Sequence, residues 1–152
     1  TGRPMTLWKV NCYAHVEFTH DSILRIREEY PDAPVVAHPE CTQAVRLLSD
    51  EVCSTEKMIV YVKNNPARSF IIATESGIIH RMRKECPDKT FIPAPTSNCR
   101  CSECRFMKMN TLEKLYDCMA NGGPEVQLTK ELAERGLKPI ERMLEISAKI
   151  GK

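Results

Sequence analysis

Cysteine is the residue type that sets this chain apart, and its densest stretch is residues 98–110, NCRCSECRFMKMN. Three of the eight cysteines fall there, Cys99, Cys101 and Cys104. Arg100, Arg105 and Lys108 flank them. Nearby positive charge lowers a thiol's pKa and favours the thiolate, the form that binds metal or takes part in redox exchange. Cys101 and Cys104 form a Cys-x-x-Cys pair. A structural zinc site ordinarily joins two such pairs, or one pair to two histidines. No second pair exists in the sequence, so a self-contained zinc knuckle is the weaker metal reading. A set of partly buried free thiols without a role is the plain one.

Other chemically capable residues sit just after short apolar runs. Cys12 and His15 follow Leu7–Val10, and His38 and Glu40 follow Val35–Ala37. Ser54 and Thr55 follow Val52–Cys53, and Thr74 and Glu75 follow Phe70–Ala73. His38-Pro39-Glu40 places an imidazole beside a carboxylate, suited to general acid–base work or substrate binding. The same tripeptide also reads as a turn with a satisfied histidine. Ser54-Thr55 reads as a helix N-cap, and the same hydroxyls with the helix amides suit a phosphate. His80 and Arg81 read as surface residues or as support behind the site, and Met107 and Met109 as core. Trp8 and Tyr13 fit either core or pocket wall.

The positioning elements alternate. Strands are expected at Leu7–Val10, Val35–Ala37, Val52–Cys53, Phe70–Ala73 and Phe91–Ile92. Between them the apolar spacing predicts helices capped by Thr19, by Ser54-Thr55 and by the Thr74–Gly77 turn, with another carrying Ala44, Val45 and Leu48. Beyond the cysteines a helix over residues 111–121, capped at Asn110, is stopped by Gly122-Gly123-Pro124. A shorter one from Lys130 should end at Gly136, and a last one should open near Pro139. Strand–helix alternation argues for an α/β fold with a parallel sheet covered by helices. In such sheets ligands bind outside the carboxyl ends of the strands, beside helix N-termini. Nearly all the residues named above belong to that rim.

With 152 residues the chain can bury a real core. A net charge of +2 is too mild to argue for nucleic acid or membrane. No apolar run approaches a transmembrane length. Irregular cysteine spacing without an export signal points to a reducing, cytoplasmic compartment and to metal or catalytic thiols rather than a disulfide framework. The opening TGRPMTLWKV is neither a signal nor a transit peptide, and reads as the middle of a longer chain.

The motifs together resemble the C-terminal part of quinolinate synthase, the A protein of NAD biosynthesis. They are Trp8-x-x-x-Cys12-x-x-His15, His38-Pro39-Glu40-Cys41, Ser54-Thr55, Ile72-Ala73-Thr74-Glu75-x-Gly77-Ile78, Cys104-x-x-Met107-x-Met109-Asn110 and Arg142-Met143-Leu144. The resemblance runs from Thr1 to Lys152. It implies three pseudo-repeated α/β layers, of which this chain would hold two. Residues 13–98 would form one layer, with 1–12 and 99–152 as closing segments. The implied activity is condensation of iminoaspartate with dihydroxyacetone phosphate to quinolinate. The implied cofactor is a 4Fe–4S cluster held by three cysteines, its remaining iron acting as a Lewis acid.

Carried over by position, Cys12 and Cys104 look like two cluster ligands. His38, Glu40, Ser54, Thr55 and, more weakly, His15 look like substrate-binding residues, with His38 and Glu40 catalytic and Glu40 the proton-transfer group. Cys99 and Cys101 look like extra thiols, and Cys101 with Cys104 like a redox disulfide that would compete with the cluster. Cys41 is not carried over as a ligand. The family ordinarily has glycine where this chain has Val10-Asn11 and Cys53. Its first third, which carries the third cysteine, has no match in this sequence, so the resemblance implies a missing N-terminal segment supplied in cis or in trans. The alternative is a non-catalytic zinc or thiol-redox module using Cys99, Cys101 and Cys104.

Overall fold

The computed structural model describes residues 4–6, 8–97 and 102–150, and the Ile150 side chain is outside the description. The chain divides into two compact units, Thr1–Met109 and Asn110–Lys152. The first holds the sheet. Its strands are β1 (Val35–Ala37), β2 (Glu51–Val52), β3 (Ser69–Ala73) and β4 (Thr90–Pro93), all parallel, in the order β2-β1-β3-β4. Its helices are α1 (Tyr13–Val16), α2 (His20–Glu29), α3 (Gln43–Leu48), α4 (Thr55–Asn64), α5 (Ile78–Glu85) and α6 (Arg105–Lys108). This is the α/β architecture that the alternation predicts.

Strand pleat sorts the apolar side chains onto two faces. Val35, Ala37, Ile71 and Ala73 pack with Ile23 and Ile26 of α2 and Val45 of α3. Val36, Phe70, Ile72 and Phe91 pack with Met58, Ile59 and Val62 of α4 and with Ile79 and Met82 of α5. Helices thus cover both faces, which is why the strands read as unbroken apolar runs. Register follows, with Val35 opposite Ile71 and Ile71 opposite Ile92.

From β1 the chain steps outward through α3 to β2. It then crosses back over β1 through α4 to β3 and moves on through α5 to β4. The winding reverses between β1 and β3, and α3 and α5 leave those strands on opposite faces. Such a switch point leaves a crevice at the carboxyl ends of the two strands.

Some elements differ from the sequence expectation. Residues 8–10 form no strand. They make a tight turn, Val10 N–H to the Trp8 carbonyl at 2.9 Å, and Trp8 is 84 % exposed, with no ladder partner among the described residues. Leu7 lies outside the described residues. Thr19 caps α2 as expected, in a reciprocal box with Ser22. Ala44, expected on the core side of α3, is exposed.

In the second unit, α7 (Leu112–Asn121) is capped one residue later than expected, by Thr111 rather than Asn110. It ends at Gly122 with φ +70°, a left-handed C-cap that favours glycine. The two C-terminal helices expected from Gly136 and Pro139 are one helix, α8 (Lys130–Ile150), with Pro139 inside. The spacing of Ala133, Leu137, Ile140 and Leu144 carries one apolar stripe across both breakers. An interior glycine costs about 1 kcal/mol rather than forbidding a helix. Among the described residues no helix is long and apolar enough to cross a membrane.

Candidate functional site

The crevice between β1 and β3 is where four of the predicted residues, Cys12, His15, His38 and Glu40, come together. β1 delivers His38 and Glu40, β3 delivers Thr74 and Glu75, and the short helix α1 brings His15 across from one to the other. His15 Nδ1 lies 3.0 Å from Glu40 Oε2, and Nε2 lies 2.9 Å from Thr74 Oγ1. The His38 ring stacks on His15 with centroids 4.2 Å apart and planes within 12°. The Glu40 backbone N–H donates to His38 Nδ1 at 3.2 Å. A neutral His38 therefore carries its proton on Nε2.

Burial is graded along this chain of groups. Thr74 is 1 % exposed and His15 is buried, whereas the Glu40 side chain is 56 % exposed. Desolvation, then the neighbouring His38, push the His15 pKa below its usual value, with Glu40 pulling the other way. A hydroxyl, an imidazole and a carboxylate in hydrogen-bonded series is the arrangement of a nucleophile, base and orienting acid. Here the hydroxyl is the buried member, so no substrate reaches it. The accessible end is the Glu40 carboxylate.

The two candidate thiols lie close by. Cys12 precedes α1, and its Sγ lies within 4.8 Å of ligating atoms of both His15 and Glu40. Cys104 precedes α6. The hydroxyl of Tyr13, the residue after Cys12, donates to Cys104 Sγ at 3.6 Å and accepts from the Arg105 backbone N–H at 2.7 Å. The backbone N–H of Met107 and then the Tyr13 hydroxyl hold the Cys104 pKa below its ordinary value. Ser102 fastens the same segment to the sheet. Its carbonyl accepts from Ser76 N–H at 3.0 Å, and its hydroxyl donates to the Ala94 carbonyl at 2.5 Å.

Three other thiols are buried away from this edge or held by the sheet. Cys41 is buried, donates to the Ala73 carbonyl at 3.4 Å, and is pushed by burial to a pKa of about 11. Cys53 and Cys86 are buried among the helices of the opposite face. Cys99 and Cys101, and with them the proposed Cys101–Cys104 disulfide, lie outside the described residues.

As a single-ion site, Cys12, His15 and Glu40 are close enough, but both His15 nitrogens are already engaged. What remains is a thiol set, Cys12 with Cys104, beside a carboxylate. Thiolates are the usual protein ligands of iron–sulfur clusters, so Cys12 and Cys104 fit such a group.

Ser54 and Thr55 begin α4 at the end of β2, on the same rim. The Ser54 side chain makes no capping bond to its helix. The sequence places Thr74 and Glu75 on the rim and Tyr13 in the core or a pocket wall, without assigning any of the three a partner. One Glu75 oxygen accepts from Gly77 N–H at 2.8 Å, and the other is buried without a hydrogen bond, 3.9 Å from the Lys108 ammonium. Their position after a strand or a ligand was visible, but their partners were not. Met107 and Met109, expected in the core, are exposed beside Cys104.

A family model described as Quinolinate synthetase A protein matches residues 1–145. The chain belongs to this family. A quinolinate synthase from Synechococcus is 46 % identical over 150 residues, covering 97 % of this chain and 47 % of that protein. Quinolinate synthases from Nostoc punctiforme and Chloroherpeton thalassium are each 45 % identical over 148 residues, covering 97 % and 96 % of this chain respectively and 46 % of each relative. The chain thus spans about half the length of the curated quinolinate synthases it matches.

Proposed function

We propose that this chain is the part of a cytoplasmic quinolinate synthase that presents Cys12 and Cys104 as two of three ligands to a 4Fe–4S cluster. The reaction is condensation of iminoaspartate with dihydroxyacetone phosphate to quinolinate in NAD biosynthesis, with loss of phosphate and water. In this reading the third cysteine is supplied by the part of the relatives' length that this chain does not span, in cis or in trans. The observation that carries the reading is the placing of Cys12 Sγ within 4.8 Å of the His15–Glu40 pair at the sheet's switch point. When bound, the cluster supplies Lewis acidity at the iron without a protein ligand.

The chain's own residues do the rest. Glu40, exposed and tethered by His15, takes a proton from the condensing carbon and returns one to a departing oxygen. His38 offers its Nε2–H to a substrate carboxylate. Ser54, Thr55 and the free amides of α4 receive the phosphate, favoured by the helix dipole.

The test uses the chain combined with the N-terminal half of a relative, with iron content and quinolinate formation measured separately. Glu40→Gln should lower turnover by about 10²-fold or more with iron unchanged, and Cys12→Ala or Cys104→Ala should lose the iron. Retained turnover in Glu40→Gln, or retained iron in the cysteine variants, overturns the reading. Zinc in place of iron, held without Cys12, would favour the zinc or thiol module instead.

A further inference from the structure

We infer that Glu75 is a positioning residue whose carboxylate, seated at the end of β3, holds Lys108 and with it the short segment that presents Cys104. The inference deepens the reading of Cys104 as a ligand and rests on it. Its basis is one buried carboxylate oxygen that no hydrogen bond satisfies.

Residues 102–108 are fastened to the turn after β3 at two points, one on each side of Cys104. Upstream, the Ser102 carbonyl accepts from the Ser76 N–H at 3.0 Å. Downstream, Lys108 Nζ lies 3.9 Å from Glu75 Oε1. The two partners of that ion pair differ. The Lys108 side chain is 51 % exposed and the Glu75 side chain 12 %. An exposed ammonium has water as an alternative partner, and a buried carboxylate oxygen does not. Glu75 Oε1 makes no hydrogen bond, and Lys108 is its one ion-pair partner among the described residues.

The other oxygen is tied down. Oε2 accepts from the Gly77 N–H at 2.8 Å. Gly77 has an ordinary helical φ of −57°, so its backbone does not call for glycine. The carboxylate does, because a Cβ at position 77 would stand 2.6 Å from Oε2. Glycine lets the acid fold back over its own turn, with Oε1 left toward Lys108.

Cys104 depends on such ties. The helix it precedes, α6, is four residues long and buries no side chain, so packing alone does not hold it. Glu103 Oε1 lies 4.0 Å from the same ammonium, but Glu103 belongs to the segment itself and ties it to nothing. Glu75 belongs to the sheet, and it acts on the thiol through Lys108.

The experiment is amide hydrogen exchange of the 152-residue chain, read residue by residue by NMR. Lys108→Met and Glu75→Gln should each speed exchange at the Arg105 and Lys108 amides by about fivefold, with Ile71 and Ile72 unmoved. Lys108→Arg should restore wild-type exchange. The double variant should exchange no faster than either single one. Sodium chloride at about 1 M should speed these amides in wild type and not in Lys108→Met. Glu103→Gln should look like wild type.

Wild-type exchange in Glu75→Gln or in Lys108→Met overturns the inference, as does a double variant whose effects add. Should Glu75→Gln not fold, Lys108→Met and the salt series still decide, because Lys108 is half exposed. In the chain combined with the N-terminal half of a relative, Glu75→Gln should release iron to a chelator about fivefold faster, and Glu103→Gln should not. Loosened amides with iron retained in Cys104→Ala would sink the ligand reading and leave the tether standing. Unchanged amides with iron lost in Cys104→Ala would do the reverse.

Discussion

The hydroxyl of Tyr13 and the sulfur of Cys104 are 3.6 Å apart across 91 positions of sequence. Tyr13 follows Cys12 directly, so this bond ties one candidate ligand segment to the other. The Tyr13 ring also meets Phe106 edge-on at 5.4 Å. Phenylalanine at position 13 keeps the ring contact and loses only the hydroxyl. Tyr13→Phe should therefore slow alkylation of Cys104 by iodoacetamide at neutral pH by about two- to threefold, because less of the thiol is ionised. Peptide mass spectrometry of the metal-free chain reads this directly. An unchanged rate would mean that the Met107 amide alone holds the thiolate.

Cys41 predicts a pH effect of opposite origin. Burial raises its pKa from an ordinary 9.0 to about 11. Between those values the unfolded chain has lost the proton and the folded chain retains it. Stability should thus fall as pH rises from about 9 to about 11, by on the order of 2 to 3 kcal/mol. Cys41→Ala should lose that slope in urea titrations taken across the range, with other alkaline titrations common to both proteins. Native Cys41 should also resist alkylation at pH 8 while Cys12 and Cys104 react. Fast labelling of Cys41 would reopen it as a ligand.

The sheet was legible in the sequence because its strands are buried on both faces. Runs such as Phe70-Ile71-Ile72-Ala73 leave little else for the chain to be. The rim followed from the same logic, since parallel strands place every following residue on one edge. What the sequence could not supply was connection across that edge. Nothing local marks Thr74 as the partner of His15, or Tyr13 as the partner of Cys104, because both pairings exist only once the sheet order sets β1 beside β3. The expected strand at residues 7–10 failed for a related reason. An apolar run is a strand only where a ladder receives it, and no described strand receives residues 8–10. Pro139 misled in the other direction, since α8 runs through it as a single helix.

The two faces of β3 give a direct check on the layered core. Ile71 packs toward α2 and α3, and Ile72 toward α4 and α5, both fully buried. Either residue changed to alanine should cost about 2 to 5 kcal/mol in denaturant unfolding. Because the two lie on opposite sides of the sheet, the double variant should be close to additive. A cost below about 1 kcal/mol for either would contradict the packing described.

Ser54 separates a cap from a ligand. Thr19 caps α2 by accepting from the Ser22 amide at 3.2 Å, so Thr19→Ala should cost about 1 kcal/mol. Ser54 stands at the same kind of position before α4 but makes no side-chain bond to its helix. Ser54→Ala should therefore cost less than about 0.5 kcal/mol, below the ordinary N-cap range. If its hydroxyl instead waits for a phosphate, the same variant in the two-part enzyme should raise KM for the phosphorylated substrate by about tenfold, the worth of one charge-assisted hydrogen bond. Thermal or urea unfolding gives the first number and initial rates give the second. A large loss of stability with an unchanged KM would make Ser54 a plain cap and remove it from the site.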